Sequence, residues 1–387
     1  MRISVEERHE RILALVRERG SIRVAQLAEE LRISTETARR DVTALAEVGR
    51  LRRAHGSVAW PGLPLSARDA RLAGDRRAPD TAELVLGMVV PAAGYFYGQV
   101  LRGARAAAAA AGVRLLVGVT DYRQTQDAVQ VGNLVEAGAQ GLLLTPGWAP
   151  AGPGPVALAQ LAELPVPTVL VERRPPLGAA GVDLDRVGSD HAGGAALAVR
   201  HLAALGHRRI ALMTLATHTS DAIRLGYRAA TAALGLPDDE VSRPSDPSDP
   251  SDPGNPGDPG GDLEALDRAR ERLFELIATQ GVRAALVHTD HVAMNLLQQL
   301  RVRGLRVPED FAVVCYDDEL ATLADVPMTA VAPSKSAVGE AGVSLLLRRI
   351  AKPSAGRRHI ELLPELTVRE SCGAQLAAVD NCEFDDR

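Results

Sequence analysis

From Leu84 onward the chain alternates short, continuous apolar runs with stretches of helical character, and this limits its fold more than any other feature. Seven runs read as strands: Leu84–Val90, Arg114–Val119, Gly141–Thr145, Thr168–Val171, Arg209–Met213, Ala284–His288 and Phe311–Cys315. Between them the pattern predicts helices such as Val100–Ala111, Ala192–Leu205 and Val292–Arg303. Strands that are apolar on both faces and separated by helices form parallel sheets covered on both sides. Seven such units exceed one small doubly wound domain, so residues 84–372 are read as α/β with two lobes. At 387 residues the chain also has room for a further domain ahead of them.

That domain is read in residues 1–60, followed by a linker over 61–83. The net charge of −5 hides an uneven distribution, because residues 1–60 carry twelve arginines against nine acids. Apolar periodicity predicts helices over Val5–Arg19, Val24–Leu31 and about 35–47, with Ser34 placed to cap the third. On that third helix Ala38, Val42 and Leu45 recur on one face and must turn inward. Thr35, Glu36, Thr37, Arg39, Arg40 and Thr43 are left for the other faces. Hydroxyls and paired arginines at the start of an exposed helix suit a major groove, where they reach phosphates and guanine edges. Residues 50–59 read as a two-stranded wing, bringing Arg52, Arg53 and His55 near the DNA backbone.

The residues themselves narrow this further. Ser34, Thr37, Arg39, Arg40 and Asp41, followed by Arg53, His55 and Gly56, resemble the Ser-x-x-Thr-x-Arg-Arg-Asp run and Arg-x-His-Gly wing of the DeoR-type winged helix-turn-helix. Asp41, beside two arginines, is expected to orient them. The resemblance covers roughly residues 5–60 and implies double-stranded DNA as a partner, contacted by Ser34, Thr35, Thr37, Arg39, Arg40, Arg52, Arg53 and His55.

In open parallel sheets ligands bind beyond the carboxyl ends of the strands. Those ends carry Tyr95-Phe96-Tyr97, Thr120-Asp121-Tyr122, Thr145-Pro146-Gly147-Trp148, Glu172-Arg173, Thr289-Asp290 and Tyr316-Asp317-Asp318. Six of the eleven aromatic residues of the chain fall there. Rings stack on sugar C–H faces while carboxylates and an arginine hold hydroxyls, so the set suits a polyol pocket. Asp190 and Asp290 also read as caps of the helices that follow them. Three adjacent aromatics cannot all face a core, so one of residues 95–97 is expected to pack inward.

Four stretches, Leu205-Gly206-His207-Arg208-Arg209-Ile210-Ala211, Arg303–Asp310, Tyr316-Asp317-Asp318 and Pro364–Ser371, resemble hallmark segments of the LacI/GalR effector domain. That resemblance runs over about 84–372 and implies the type I periplasmic-binding-protein fold. Its lobes are expected over about 84–184 with 319–351, and about 185–318 with 358–372. It implies a sugar or related small effector between the lobes and side-by-side pairing in a homodimer. Carried over residue by residue, the ligand positions fall on Phe96, Tyr97, Asp121, Thr145, Glu172, Thr289 and Asp317. The clamping arginine of the family falls on Ile223; a one-residue gap gives that role to Arg224. The family's hinge helix has no counterpart in residues 61–80, whose Pro, Gly and Arg content reads as a tether.

Residues 244–262 place proline at every third position from 244 to 259 and lack apolar side chains, which predicts an extended, unstructured insert. Residues 373–387 read as a loose acidic tail. The three cysteines, Cys315, Cys372 and Cys382, show no disulfide or metal spacing, and the N-terminus lacks a signal-peptide pattern. These features lead to an expectation of a cytoplasmic protein with no membrane span, no cofactor and no metal. No nucleophile elbow or phosphate loop is present, so an enzyme is not expected. The reading as a whole is a DNA-binding repressor of carbohydrate genes; the alternative is a cytoplasmic sugar-binding or sugar-processing protein whose N-terminal helices serve another role.

Overall fold

The apolar runs of the sequence become the central strands of two six-stranded sheets, preceded by a small helical unit. The computed structural model describes residues 5–374 except 20, 32, 48–50, 55–56, 60–83, 149–151, 177–182 and 243–258. The linker 61–83, the tail beyond Ala374, Cys382 and most of the insert therefore lie outside the described residues.

The N-terminal unit runs α1 (Val5–Arg19), β1 (Ser21–Arg23), α2 (Val24–Leu31), α3 (Thr35–Glu47), β2 (Arg52–Ala54) and β3 (Ser57–Ala59). Its helices coincide with those expected. Ile12, Val16, Leu27, Val42, Leu45 and Val58 close its core. The two-stranded wing expected over 50–59 forms from β2 and β3, paired antiparallel, and β1 adds a third strand to the sheet by pairing antiparallel with β3. Ile22 explains the addition, since it stands opposite Val58 and both are buried.

The chain continues through β4 (Val85–Val90), α4 (Tyr95–Ala110), β5 (Arg114–Val119), α5 (Asp127–Glu136), β6 (Leu142–Leu144), α6 (Pro155–Ala162), β7 (Thr168–Val171) and β8 (Asp185–Ser189). It then forms α7 (His191–Ala204), β9 (Ile210–Met213), α8 (Ser220–Ala233), β10 (Asp239–Glu240), α9 (Pro259–Gln280), β11 (Ala284–Val287), α10 (Asp290–Val302), β12 (Ala312–Tyr316) and β13 (Thr329–Ala332). It ends with α11 (Lys335–Ala351), β14 (His359–Leu362) and β15 (Glu365–Thr367). The first sheet has the order β14-β8-β7-β6-β4-β5, with every neighbouring pair parallel. The second has the order β10-β9-β11-β12-β13-β15 and is parallel except for β15.

These sheets correct the expected lobe boundaries. Residues 185–189 and 359–362 belong to the first sheet, and residues 329–332 to the second. Each crossing comes after a strand rather than before it, near 190, 333 and 363. The reason is geometric: a parallel strand must run its length before its carboxyl end reaches the neighbouring lobe. The insert is corrected as well, because residues 259–262 open α9. Pro259 suits a helix start, where its missing N–H would have no partner in any case.

Within the first lobe Leu86, Met88 and Val90 face one side of β4 while Val85 and Val89 face the other, the two-residue period of a strand covered on both faces. Helices α4 and α11 cross backbone to backbone. A Cβ on Gly103 would stand 1.9 Å from the Ser336 carbonyl oxygen, and one on Gly339 would stand 2.1 Å from that of Val100. No larger residue fits either point without parting the helices. Among the described residues no helix is long and apolar enough to cross a membrane.

One buried ion pair ties the three separate segments of the first lobe. Asp185 at the start of β8 accepts from Arg349 Nε of α11 at 2.6 Å and from the Arg358 amide at 2.6 Å, just before β14. Both partners of the pair are almost fully buried. Burial opposes ionisation of Asp185, but Arg349, the Arg358 amide and Arg357 outweigh it and hold the carboxyl below its ordinary range. Removing one partner of a buried pair strands the other charge. Asp185→Ala is therefore expected to lower unfolding stability by about 3–5 kcal/mol, read as a shift of the denaturant midpoint; an unchanged midpoint would refute the role.

Candidate functional site

Two regions gather the polar groups singled out in the sequence: the outer face of α3 and the space between the strand ends of the two sheets. On α3, Ser34 Oγ accepts the Thr37 amide at 3.1 Å and lies 2.7 Å from Thr37 Oγ1, so the cap forms as expected. Ala38, Val42 and Leu45 are buried, leaving Thr35, Glu36, Arg39 and Arg40 exposed. Arg40 lies 3.6 Å from Glu36, a weak exposed pair, and the Arg39 guanidinium has no partner among the described residues. Thr43 Oγ1 donates back to the Arg39 carbonyl at 2.7 Å. The side chains of Arg52 and Arg53, and all of His55, lie outside the described residues.

The expectation that Asp41 orients Arg39 and Arg40 is corrected. Asp41 is buried and accepts from Arg8 of α1 at 2.5 and 2.9 Å, with His9 Nε2 at 3.3 Å. Burial resists its ionisation, but the hydrogen bonds and charge of Arg8, with those of His9, outweigh that and hold the carboxyl low. Asp41 thus fastens α3 to α1 and leaves both arginines to solvent.

Between the lobes the backbone itself is unusual. All six non-glycine residues with positive φ among the described residues sit at these turns: Tyr95, Asp121, Tyr122, Glu172, Asp317 and Asp318. L-residues disfavour this region, and such strain gathers where side chains must be aimed.

Of the three adjacent aromatics, Tyr97 packs inward, Phe96 is half-buried, and Tyr95 reaches across to the second lobe. The Tyr95 hydroxyl donates to Asp290 and lies 3.2 Å from Asp317 Oδ2. Burial, then the Asp317 and Asp290 carboxylates, push its phenol well above the ordinary range. Asp290 is fully buried and also accepts the amides of Glu319 at 2.8 Å and Leu320 at 2.6 Å. It therefore anchors a distant loop in addition to opening α10, whereas Asp190 caps α7 through the Gly193 amide at 2.8 Å.

Asp317 is buried and pushed up to about 6, chiefly by that burial, with Lys335 and His191 opposing. Lys335 donates to the Asp317 carbonyl and pairs with Glu319 at 2.7 Å. Phe96 lies 6.4 Å from the His191 ring, centroid to centroid, and 5.5 Å from Lys335 Nζ. Glu172 is buried on the floor, accepting from Ser189 Oγ at 2.8 Å, with His191 Nε2 at 3.3 Å. Burial raises its pKa, but His191 and Ser189 outweigh that and hold it low.

The remaining expected positions divide. Thr145 is buried and its hydroxyl has no protein partner, a state shared with Thr120 Oγ1 and His288 Nδ1. Thr289 is half-buried at the start of α10, its side chain making no cap. Asp121 is exposed, 3.4 Å from Arg123. Arg224 is buried and occupied, bonding Glu240 at 2.6 Å, Asp221 at 3.1 Å, Thr214 at 2.9 Å and the Ser242 carbonyl at 3.2 Å. Ile223 lies in the core.

Sequence reasoning missed several groups here. His191 follows β8, a strand the apolar pattern did not reveal. His218, after β9, meets the Trp148 carbonyl after β6 and so spans the two lobes. Burial and the Arg173 charge push His218 down to about 4, while burial with His191 and Arg224 pushes His288 down to about 3, so both stand neutral near pH 7. Lys335 carried a usable signal, being one of only two lysines in the chain.

Neutral imidazoles, hydroxyls without partners, aromatic faces and carboxylates can hold a small polar molecule by many hydrogen bonds. No group of three or more ligating side chains stands ready for a metal among the described residues. A separate cavity of about 380 Å³ lies at the opposite end of the second sheet, lined by His207, Arg283, Leu305, Pro308, Glu309 and Asp310, away from these strand ends.

The family described as a DeoR-like helix-turn-helix domain matches residues 8–61. The family of periplasmic binding proteins and sugar binding domain of LacI family matches 83–249, and a periplasmic binding protein-like domain matches 199–372. The ribose operon repressor of Escherichia coli (strain K12) is 33% identical over 215 residues, 53% of this chain and 58% of that protein. The HTH-type transcriptional regulator CelR of Thermobifida fusca is 35% identical over 199 residues, 51% of this chain and 54% of that one. The chain thus spans little more than half the length of these relatives. Among solved structures, a transcriptional regulator CelR–cellobiose complex matches with a TM-score of 0.59 and 24% identity, covering 88% of this chain and 91% of that one. A LacI family regulator from Enterococcus faecium with bound ribose matches at 0.55 and 19%, covering 74% and 98%. These likenesses establish a shared fold.

The elevated Asp317 carboxyl makes a pH prediction. Its folded-state value near 6 exceeds the ordinary 3.8, so protonation favours the folded state. Its contribution is fully present below 3.8 and is lost as pH rises through 6. Subtracting the pH–stability curve of Asp317→Asn from that of the wild type should leave a difference that changes across this window; a flat difference would refute the assignment.

Proposed function

Because the chain belongs to the LacI family of regulators, carrying a periplasmic-binding-protein-like domain behind a DeoR-like helix-turn-helix, we propose that it is a DNA-binding repressor of carbohydrate-use genes. A small sugar or related polyol binds between the two lobes and changes operator affinity. The supporting observation is that one chain carries both an α3 whose threonine and arginines face solvent and a strained, polar space between two parallel sheets.

In this reading Thr35, Arg39 and Arg40 enter the major groove, with Thr37 beside them and the wing of Arg52, Arg53 and His55 on the backbone. Ser34 contributes by fixing the start of the helix. A homodimer presents two such heads to a palindromic site. Effector binding shifts the balance of lobe arrangements by its differential affinity for them, and the linker 61–83 carries that shift to the heads. Phe96, Tyr97, Thr145, Thr289 and Asp317 line the effector space, with Asp121 at its edge. Glu172 holds the floor through Ser189 and His191. Arg224 braces β10 against α8 and is not the clamp. The protein acts in the cytoplasm and catalyses no reaction; the names of its relatives are those of transcription regulators.

A mobility-shift assay on the DNA upstream of the protein's own gene tests the reading. Arg39→Ala with Arg40→Ala should weaken binding at least about tenfold and reduce its salt dependence, since each lost phosphate contact removes about 0.9 from the log–log slope. Equal binding by the double variant would sink the recognition-helix assignment. Thermal shift against a panel of sugars tests the sensor, because a ligand at a hundred times its Kd stabilises the fold by about 2.7 kcal/mol.

A further inference from the structure

Arg173 is the one buried cation of the cleft without a carboxylate partner among the described residues. Only 7% of the residue is exposed. Its Nε donates to the Pro146 carbonyl at 2.9 Å, and its Nη1 to the Tyr97 hydroxyl at 3.1 Å and the Glu172 carbonyl at 2.8 Å. All three acceptors are neutral. Nη2 has no partner among the described residues, yet it is not among the buried atoms left without one, so it keeps some exposure.

The neighbouring acids are turned elsewhere. Glu172 spends its carboxylate on Ser189 and His191, and Asp127 spends its own on the Gly147 amide at 2.9 and 3.1 Å. Other buried cations are balanced: Arg224 by Glu240, Lys335 by Glu319, Arg349 by Asp185. A buried charge without a partner is costly, and a site that keeps one gains most from a ligand that neutralises it. The charge is felt across the space around it, helping to push His218 down and drawing Asp127 and Tyr122 back from the rise that burial gives them.

We infer that Arg173, through Nη2, holds an anionic group of the effector, a carboxylate or phosphate carried on a polyhydroxyl frame. Arg224 is not the candidate, since Glu240 and Asp221 already balance its charge and its Nε and both terminal nitrogens donate within the protein. The hydroxyls of the same ligand meet Asp317 and the unpartnered Thr145 at the rest of the site. A neutral sugar would satisfy those groups but leave the guanidinium unbalanced.

This inference rests on the sensor reading above, and calorimetry on the full chain separates the two. The probes are D-glucose, D-gluconate, D-glucuronate and glucose 6-phosphate, with ribose, ribonate and ribose 5-phosphate as a second set. An acid or phosphate ester should bind at least about tenfold more tightly than its neutral parent, as a charge-assisted hydrogen bond implies, and less tightly as salt is raised. The acid and ester arms distinguish carboxylate from phosphate. Arg173→Gln should remove that preference, and Arg173→Lys should retain part of it. If Arg173→Gln does not fold, the lysine variant and the salt dependence of the wild type still decide. Neutral sugars binding as well as their acids, or acids binding Arg173→Gln as tightly as the wild type, would overturn the inference and leave the sensor standing. If no probe of either class binds, the anionic assignment and the sugar sensor fall together.

Discussion

Parallel strands all finish on the same side, and that single constraint organises the large domain. Eleven of the twelve strands, all but the antiparallel β15, deliver their carboxyl ends toward the space where the chain passes between lobes. At such ends the backbone must leave a strand and turn sharply into the next segment. The cost is visible in Tyr95, Asp121, Tyr122, Glu172, Asp317 and Asp318, all held at positive φ. The same abrupt turns aim phenol, carboxylate and imidazole groups at one volume that regular secondary structure could not supply.

The strands read most directly from the sequence are continuous apolar runs, whereas the short Thr329–Ala332 was missed although it is largely buried. Val85–Val90 and Ala284–Val287 are apolar throughout because helices cover both faces, and they read directly as strands. Asp185–Ser189, His359–Leu362 and Glu365–Thr367 are part-exposed or polar, and no apolar run marks them. Missing Asp185–Ser189 and His359–Leu362, together with Thr329–Ala332, moved the expected lobe boundaries. The site divides in the same way. Aromatic residues at strand ends stand out when only eleven exist, yet the partners of Arg224 and Asp41 lie sixteen and about thirty residues away. Spacing along a chain cannot show which of two arginines has been consumed by a carboxylate across a sheet.

The two cleft arginines show what folding adds. Arg224 carries the family-like position but donates through three nitrogens within its own lobe. Arg173 carries no such expectation, yet it is fixed by three neutral oxygens and left with one free edge. Rigid placement by neutral groups keeps its charge available while removing its freedom to move. Around it, His218 and His288 stay uncharged and Glu172 is already satisfied. Charge in this cleft is thus distributed unevenly, with acids toward Tyr95 and the free cation toward Tyr97.

The crossings near 190, 333 and 363 mean that neither lobe is a continuous stretch of chain. The first sheet begins at Val85, but its edge strand His359–Leu362 and the helix Lys335–Ala351 that covers it are made only after most of the second lobe. Until then Gly103 faces no Ser336, and Asp185 has no Arg349. On the ribosome the first lobe therefore waits, with one face of its strands covered only in part by α4, while nearly the whole second lobe is made. No truncation that stops short of residue 362 can yield a finished lobe, so these halves have to be inherited, expressed and engineered as a single unit.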